Sequence, residues 1–374
     1  MDVAPAAGAG VKMMRGAGKW WWAARATALF WFVGGAPRAH ADAASAAARR
    51  PTPHRASPRQ SAPRTWLLII TGVSGETRFA AEFQREATAL RDAAVQRFGV
   101  PDSLAIWLAE NPTTDPKRIA GTSNRAGVEA TFARIAAAAA PNDRIFVVLI
   151  GHGSSEGDVA RFNVPGPDLT DTDFKALLDR LGTRSVVFVN TASASGAFVK
   201  SLSGANRAVV AATKSGMERN QTVFAKYFVQ AYTTDGADAD KDGRVSLLEA
   251  FRYAKREVER EYEQENKLLT EHAVLDDDGD GVAHADASEK GPDGVRARAV
   301  YLGAAGGAVA AAVASDPRAA PLLAQKANLE ASLDSLRAKK TSMKENDYQA
   351  ALEALLLKLA ETNKALRDLE GKKP

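Results

Sequence analysis

Two apolar segments of the chain end in residues that could do chemistry. The segment RIFVVLIG runs into His152 and Gly153, and the segment SVVFVN runs into a small-residue turn that contains Ser193. Histidine is the side chain best suited to act as a general base near neutral pH, and a serine hydroxyl becomes a nucleophile when such a base takes its proton. The neighbouring glycines leave backbone N–H groups accessible to an oxyanion. We predict a site at these segment ends; a histidine that only caps a strand is the alternative.

A second group of residues has the spacing of a calcium-binding loop. In DADKDGRVSLLE (238–249), oxygen donors stand at every ligand position of a twelve-residue EF-hand loop, and a glycine stands at the sharp turn. The predicted ligands are Asp238, Asp240, Asp242, the carbonyl of Arg244, Ser246 and Glu249. Hard oxygen donors suit Ca²⁺, which we predict as the cofactor. An acidic surface loop that matches by chance is the alternative.

A shorter run, DDDGDG, repeats the first half of this spacing. It supplies Asp276, Asp278 and Asp280. The closing position falls on Ala287, which has no carboxylate. The run either binds calcium more weakly, with Asp286 or a distant residue as a further ligand, or is an acidic turn, and the sequence leaves both open.

The elements that must position these residues alternate along the middle of the chain. From Trp66 to Tyr232, short apolar runs that end in Gly, Asn or Thr alternate with amphipathic stretches of helical length. This alternation predicts an α/β fold with a mainly parallel sheet covered on both faces. Functional groups of such a sheet gather at the carboxyl ends of its strands, where His152 and Ser193 are expected.

The segments VVLIGHGS and VVFVNTASASGAF together resemble the caspase-like cysteine peptidases, most of all their legumain-like (C13-type) branch. In that family a His-Gly pair ends one strand, and an acidic-Ala-Cys-x-Ser-Gly turn ends the next. This chain matches the pattern at His152, Gly153, Ser195 and Gly196. Ser193 stands where the family has its cysteine. The resemblance implies a caspase-like three-layer sandwich.

The resemblance also implies roles for single residues. His152 would be the base, Ser193 would take the place of the nucleophile, and the backbone around Gly153 would hold the oxyanion. The segment AATKSGMERNQTVFAKYF resembles the part of the family that lines the specificity pocket. The substrate-binding candidates are Arg78, Thr213, Ser215 and Thr222. For Arg78, a solvated position at the start of a helix is the alternative.

The exchange of sulfur for oxygen at residue 193 bears on function. A thiol is partly ionised near neutral pH, whereas a serine hydroxyl needs a well-oriented base and usually a third, orienting group. We expect a non-cleaving peptidase homologue that binds a peptide or protein and is stabilised by calcium. An active serine-dependent peptidase or hydrolase with a Ser193–His152 dyad is the alternative, and an artificial replacement of a native cysteine is a third.

The first 65 residues predict export followed by a tether. Residues 1–41 have the charged, apolar and small-residue order of a signal peptide, and their apolar run is shorter than a membrane span needs. Residues 42–65 form a linker rich in Ala, Pro and Arg that is too poor in large apolar residues to fold. We expect a periplasmic or extracellular protein without a transmembrane span in the mature chain; a membrane anchor is the alternative.

The charge balance and the cysteine content exclude some classes of partner and of chemistry. Removal of residues 1–41 takes away five of the 49 basic and one of the 45 acidic residues, which leaves 44 of each. A balanced chain gives no electrostatic ground for nucleic-acid binding, so we expect none. The chain has no cysteine, which excludes disulfides and thiol catalysis.

The remaining sequence divides into a main domain and a helical end. We expect the main domain at 66–302, with the calcium-binding insertion at 235–290. Residues 303–374 form an Ala-rich connection followed by leucines at helical spacing. The break at KENDYQ favours a helical hairpin; a coiled coil through which the chain associates with itself is the alternative.

Overall fold

The computed structural model describes part of the chain. The described residues are 63–370 apart from 158, 242, 304–317, 339, 341 and 342. The predicted signal peptide, almost all of the predicted linker and most of the Ala-rich connection lie outside the described residues.

The described residues contain ten strands, which form two sheets. They are β1 (Thr65–Thr71), β2 (Ala105–Ala109), β3 (Ile119–Thr122), β4 (Arg144–Ile150), β5 (Gly153–Glu156), β6 (Val159–Phe162), β7 (Leu169–Thr170), β8 (Ser185–Asn190), β9 (Arg207–Ala211) and β10 (Val274–Asp276). The larger sheet has the order β10-β9-β8-β4-β1-β2-β3. Its strands pair in parallel except for the edge strand β10, which pairs antiparallel with β9. The smaller sheet is the antiparallel β5-β6-β7, which begins directly after His152.

Burial on both faces explains why the sequence revealed the central strands. The residues of β1, β2 and β8 are buried almost without exception, as continuous apolar runs require. The edge strands β3 and β10 are short, and neither has a long apolar run that would have identified it.

In the described part of the chain, eight α-helices cover the larger sheet or follow it. They are α1 (Thr77–Gln96), α2 (Arg125–Ala138), α3 (Asp171–Asp179), α4 (Val199–Leu202), α5 (Phe224–Thr233), α6 (Leu247–Gln264), α7 (Ala319–Ala338) and α8 (Glu345–Glu370). The chain crosses from β1 to β2 in one direction and from β3 to β4 and β8 in the other, so right-handed connections put α1 on one face and α2 and α3 on the opposite face. Helix α1 packs against α5, and α5 against α6, whereas α3 packs against α4. The predicted α/β architecture with a mainly parallel sheet is confirmed.

The last two helices pack against each other. Their shared interface buries Leu333, Leu336, Tyr348, Leu359 and Leu366. This arrangement corresponds to the hairpin, and self-association stays a prediction. None of the helices in the described part of the chain is long and apolar enough to cross a membrane.

The hairpin also reaches the predicted calcium loop. The side-chain amide of Asn363 on α8 lies 3.0 Å from the position that a Cβ atom on Gly243 would take. Lys326 on α7 donates to the Asn363 carbonyl oxygen at 3.0 Å and orients that side chain. The loop and the hairpin are therefore in direct contact.

A buried carboxylate joins the beginnings of the two central strands. Asp143, before β4, accepts hydrogen bonds from the Arg64 amide at 3.0 Å, the Trp66 indole at 3.0 Å and the Ala140 amide at 2.9 Å. The Arg64 guanidinium also contacts it at 2.8 Å. Burial alone would raise the pKa of Asp143, but these hydrogen bonds lower it to about 2. The ionised form is thus the one that the folded chain stabilises.

We predict that Asp143→Asn lowers the free energy of unfolding at pH 7 by about 2 kcal/mol, because a pKa lowered from 3.8 to about 2 is worth that much. This contribution is present above the unfolded pKa and disappears as the pH falls through 2. Urea unfolding of both proteins between pH 7 and pH 2 measures it. The control Asp235→Asn removes a 92% exposed partner of Arg97 and should change stability little. A constant difference between wild type and Asp143→Asn across this range would contradict the assignment.

Candidate functional site

The parallel pairing of β4 with β8 brings the two predicted catalytic residues to one edge of the sheet. Leu149 pairs with Asn190, so His152 and Ser193 each follow three residues after a matched position. Both line one cleft. The structure thus places the predicted pair together.

A backbone carbonyl and two aromatic rings surround the His152 imidazole. Its Nε2 lies 3.3 Å from the Ser74 carbonyl oxygen. The rings of Phe79 and Phe83 meet it edge-on, with centroids at 4.6 and 5.2 Å. A carbonyl oxygen can only accept a hydrogen bond, so this contact puts a proton on Nε2 and leaves Nδ1 as the acceptor in the neutral ring.

The Ser74 carbonyl is itself held in place by a carboxylate. Glu110, which follows β2, accepts the Ser74 amide at 3.0 Å and the Ser74 hydroxyl at 2.9 Å. Sequence reasoning missed both residues, since their only signal is that each follows a strand end. Of the acids near His152 in sequence, Glu156 is exposed and lies 3.6 Å from Arg161, and residue 158 lies outside the described part.

The Ser193 hydroxyl points to the backbone rather than to the base. Its Oγ donates to the Gly153 carbonyl at 2.9 Å, and the described residues contain no hydrogen bond between Ser193 and His152. The next residue, Ala194, has a left-handed φ of 56°, which makes the turn tight. A Cβ atom on Gly153 would lie 2.6 Å from the Ser193 carbonyl oxygen, so only glycine fits there. Gly153 thus permits the close approach of the turn.

Thr213 holds this turn from the neighbouring strand. Its hydroxyl accepts the Gly196 amide at 3.0 Å and lies 3.2 Å from the Ser195 hydroxyl. The Thr213 amide donates back to the Ser195 oxygen at 3.1 Å, and Thr213 is fully buried. These contacts place Thr213, a predicted substrate-binding residue, in the support of the turn.

The other predicted substrate-binding residues are spread around the site. Thr222 lines the cleft. Ser215 lies on the loop after β9, where its hydroxyl accepts the Met217 amide at 3.3 Å. The Arg78 guanidinium is largely exposed, 2.9 Å from Glu76 and stacked over the Phe79 ring. Of these three, Thr222 alone contributes to the described lining of the cleft.

Glu218 ties the turn to the strand at the sheet edge. Its carbonyl accepts the Ala194 amide at 2.8 Å, and its carboxylate accepts the Lys214 amide at 3.0 Å and the His272 ring at 2.5 Å. Burial would raise the pKa of Glu218, but the backbone and His272 hydrogen bonds lower it. Ionised Glu218 thus fixes the loop between β9 and α5 against the residues that lead into β10.

The cleft contains a buried acid that sequence reasoning missed. Glu86 on α1 is 5% exposed, and neither carboxyl oxygen has a hydrogen-bond partner among the described residues. Burial raises its pKa to about 8, and Glu82 adds to the rise. A signal existed in the sequence, because Glu86 shares the apolar face of α1 with Phe79, Phe83 and Leu90 at helical spacing.

The predicted calcium loop gathers three carboxylates. Ligand oxygens of Asp238, Asp240 and Glu249 all lie within 4.8 Å of one another. Gly243 has a φ of +81° and donates its amide to Asp238 Oδ2 at 3.0 Å. The Asp238 Oδ1 atom is buried without a partner among the described residues, and burial and then Glu249 raise the pKa of Asp238.

Three further predicted ligands of this loop have different surroundings. Ser246 caps α6, where its hydroxyl accepts the Glu249 amide at 3.2 Å. The Arg244 guanidinium lies 3.4 Å from the centre of the Tyr301 ring. Asp242 lies outside the described residues. The donor set that can be described is an oxygen set, as calcium prefers.

A carboxylate from further along the chain joins the second acidic run. Asp276 and Asp278 form a cluster with Asp293, which is fully buried and 2.6 Å from the Nδ1 atom of His284. Asp280 is not part of this cluster. Its carboxylate accepts the Val282 amide at 2.7 Å. No twelve-residue spacing could have indicated Asp293, because the chain folds back between the two positions.

We predict that Thr213→Val lowers the free energy of unfolding by about 1–3 kcal/mol, because it leaves the Gly196 amide and the Ser195 hydroxyl without their partner. Thermal and urea unfolding measure the loss. The matched control Ser215→Ala removes only one weak contact and should cost less than about 1 kcal/mol. Equal stability of Thr213→Val and wild type would show that Thr213 does not hold the turn.

Residues 122–274 match the family model described as the Peptidase C13 family. None of the curated proteins matches the chain. Among solved structures, protein GSU0716 from Geobacter sulfurreducens is similar at 13% identity and a TM-score of 0.33, over 52% of this chain and 89% of that one. The Drosophila initiator caspase Dronc is similar at 13% identity and 0.36, over 57% and 79%, and drICE at 10% and 0.33, over 55% and 86%.

These structural likenesses are too weak to carry an argument, so the family match carries the assignment. The matched range contains both strand ends and both residues of the predicted pair. This match confirms the C13-type resemblance over residues 122–274.

Proposed function

We propose that the chain is a non-cleaving homologue of the C13 peptidases that binds a peptide or protein segment in the cleft of His152 and Ser193. The observation that carries this proposal is the direction of the Ser193 hydroxyl, which donates to the Gly153 carbonyl at 2.9 Å. A hydroxyl that donates its hydrogen bond to a carbonyl rather than to a base is not activated for attack.

The surroundings of the base support the same conclusion. Among the described residues, the hydrogen-bond partner of the imidazole is a carbonyl oxygen rather than a carboxylate. A carbonyl orients the ring but offsets the charge of an imidazolium less than a carboxylate does. A thiol can react beside such a base, whereas a serine hydroxyl has to transfer its proton during attack.

The cleft keeps groups that suit peptide binding. The Ser193 amide makes no hydrogen bond within the part of the chain that the structure describes. This N–H can therefore donate to a peptide carbonyl. The cleft also opens at the carboxyl edge of the sheet, where α/β proteins bind their ligands.

An active serine hydrolase is the second candidate, and the shared cleft favours it. In that reaction the Ser193 hydroxyl would turn from Gly153 to the free Nδ1 of His152. Oγ would bond to the carbonyl carbon as its proton moves to Nδ1, and the Ser193 and Gly153 amides would hold the oxyanion. His152 would then give the proton to the leaving amine.

We predict that a fluorophosphonate probe does not label Ser193 and that wild type hydrolyses a mixed peptide library no faster than His152→Ala. Ser193→Cys should gain hydrolysis, because the thiolate needs less help from the base. Mass spectrometry of the adduct and of the peptide products gives both results. His152→Ala in the Ser193→Cys background is the control. Labelling of wild-type Ser193 that His152→Ala abolishes would establish the active enzyme instead.

We further propose that calcium stabilises the fold through the two acidic clusters. Asp238, Asp240 and Glu249 would hold one ion, and Asp276, Asp278 and Asp293 would hold another. The unpartnered Asp238 oxygen and the raised pKa of Asp238 support the first site, since a cation would offset both. The proposed exported location would supply enough calcium for weak sites, and it rests on the sequence of residues 1–41.

We predict that millimolar calcium raises the melting temperature above that measured in chelator. An ion at about 100 times its Kd stabilises the folded state by about 2.7 kcal/mol. Glu249→Gln should remove the contribution of the first site and Asp293→Asn that of the second, while Asp235→Asn should keep both. Equal melting temperatures of the wild type in calcium and in chelator would refute calcium binding.

A further inference from the structure

The strongest unexplained feature of the cleft is Glu86. It is buried within the fold, it lines the same cleft as His152 and Ser193, and its two carboxyl oxygens have no hydrogen-bond partner among the described residues. A buried polar group without a partner costs free energy, so its presence calls for a ligand that completes it.

The hydroxyl groups of the cleft already donate hydrogen bonds to backbone carbonyls. Ser193 donates to the Gly153 carbonyl at 2.9 Å. Thr222 donates to the Thr191 carbonyl at 2.6 Å. Thr191 in turn donates to the Leu149 carbonyl at 2.7 Å. Toward a ligand these three oxygens therefore offer lone pairs, and each can only accept a hydrogen bond.

The acidic side chains and the imidazole of the cleft can also accept hydrogen bonds, Glu86 fully so once it has lost its proton. Glu82 and Glu86 line the cleft, and the described lining contains no lysine or arginine. The His152 proton on Nε2 faces the Ser74 carbonyl, so the ring also presents an acceptor at Nδ1. Apart from the exposed Gln221 amide, the polar side chains of the cleft are thus complementary to a ligand that donates several hydrogen bonds and carries positive charge.

We propose that this cleft binds the basic side chain of a peptide, Lys or Arg, with Glu86 as the buried counter-charge. The proposal rests on the proposed peptide-binding function and names the class of peptide. An ammonium group has three donors and no acceptor, and a guanidinium has five donors and no acceptor. An amide side chain would bring its own carbonyl oxygen against the lone pairs of the cleft.

Binding of a cation to Glu86 must displace a proton. The charged and titratable groups that face Glu86 are Glu82 and Arg85 on α1, Lys226 on α5 and His152 at the end of β4. At pH 7 the free acid is protonated, because burial raises its pKa to about 8. An ammonium beside it favours the carboxylate, so each binding event should release about one proton.

The first experiment tests whether the cleft binds a small organic cation in the absence of a peptide. n-Butylammonium chloride should raise the melting temperature of the wild type, and 1-butanol, its neutral counterpart, should not. Glu86→Gln should remove the ammonium effect, and Glu129→Gln, on the surface of α2, should keep it. Calorimetry of the wild type at pH 7 in two buffers of different ionisation enthalpy should give about one proton released for each ammonium bound. This last measurement does not depend on whether a variant folds.

The second experiment uses peptides that differ at one residue. Peptides with Lys or Arg should bind the wild type about tenfold more tightly or better than those with norleucine or Gln, and Glu86→Gln should abolish the preference. Comparison of the Lys and Arg peptides identifies which head group fits the cleft. Equal binding of neutral and basic peptides would overturn the basic specificity and leave peptide binding intact. Binding of butylammonium in the absence of any peptide binding would support the cation site and refute the proposed peptide function.

Discussion

The register between β4 and β8 is the constraint on which the rest of the site depends. Because the strands run parallel and Leu149 pairs with Asn190, the chain leaves both at the same edge and at the same height. The apolar side chains that hold this register are buried on both faces, so the position of the site follows from the packing of the sheet. Residues that are 41 positions apart in sequence thus line one cleft.

Hydrogen-bond direction gives this site its chemical character. Backbone carbonyls accept hydrogen bonds from the hydroxyls of Ser193, Thr191 and Thr222. The Ser74 carbonyl accepts one from the imidazole. Because these side-chain donors are committed to the backbone, the hydroxyl and imidazole groups present lone pairs to the cleft beside the carboxyl groups of Glu82 and Glu86.

The sequence was informative where one local pattern decided the structure. Continuous apolar runs identified the central strands, and the residues at their ends identified His152 and Ser193. The carboxylates of the acidic loop could be grouped from the sequence because they lie within twelve residues of one another, and the predicted EF-hand stays a prediction. Glu86, Ser74 and Asp293 were not found, because each acquires its role from a neighbour brought close by tertiary folding. Thr213 belonged to the right segment, but which way its hydroxyl points depends on the turn that it supports.

The contact between Gly243 and Asn363 limits how this chain can vary in evolution. The left-handed backbone at Gly243 already disfavours other residues, and the amide of Asn363 occupies the space that a side chain there would need. A homologue that lacks the C-terminal hairpin would be released from the second restriction but would keep the first. Loss of the hairpin would therefore open the space beside position 243 while glycine stayed the favoured residue there.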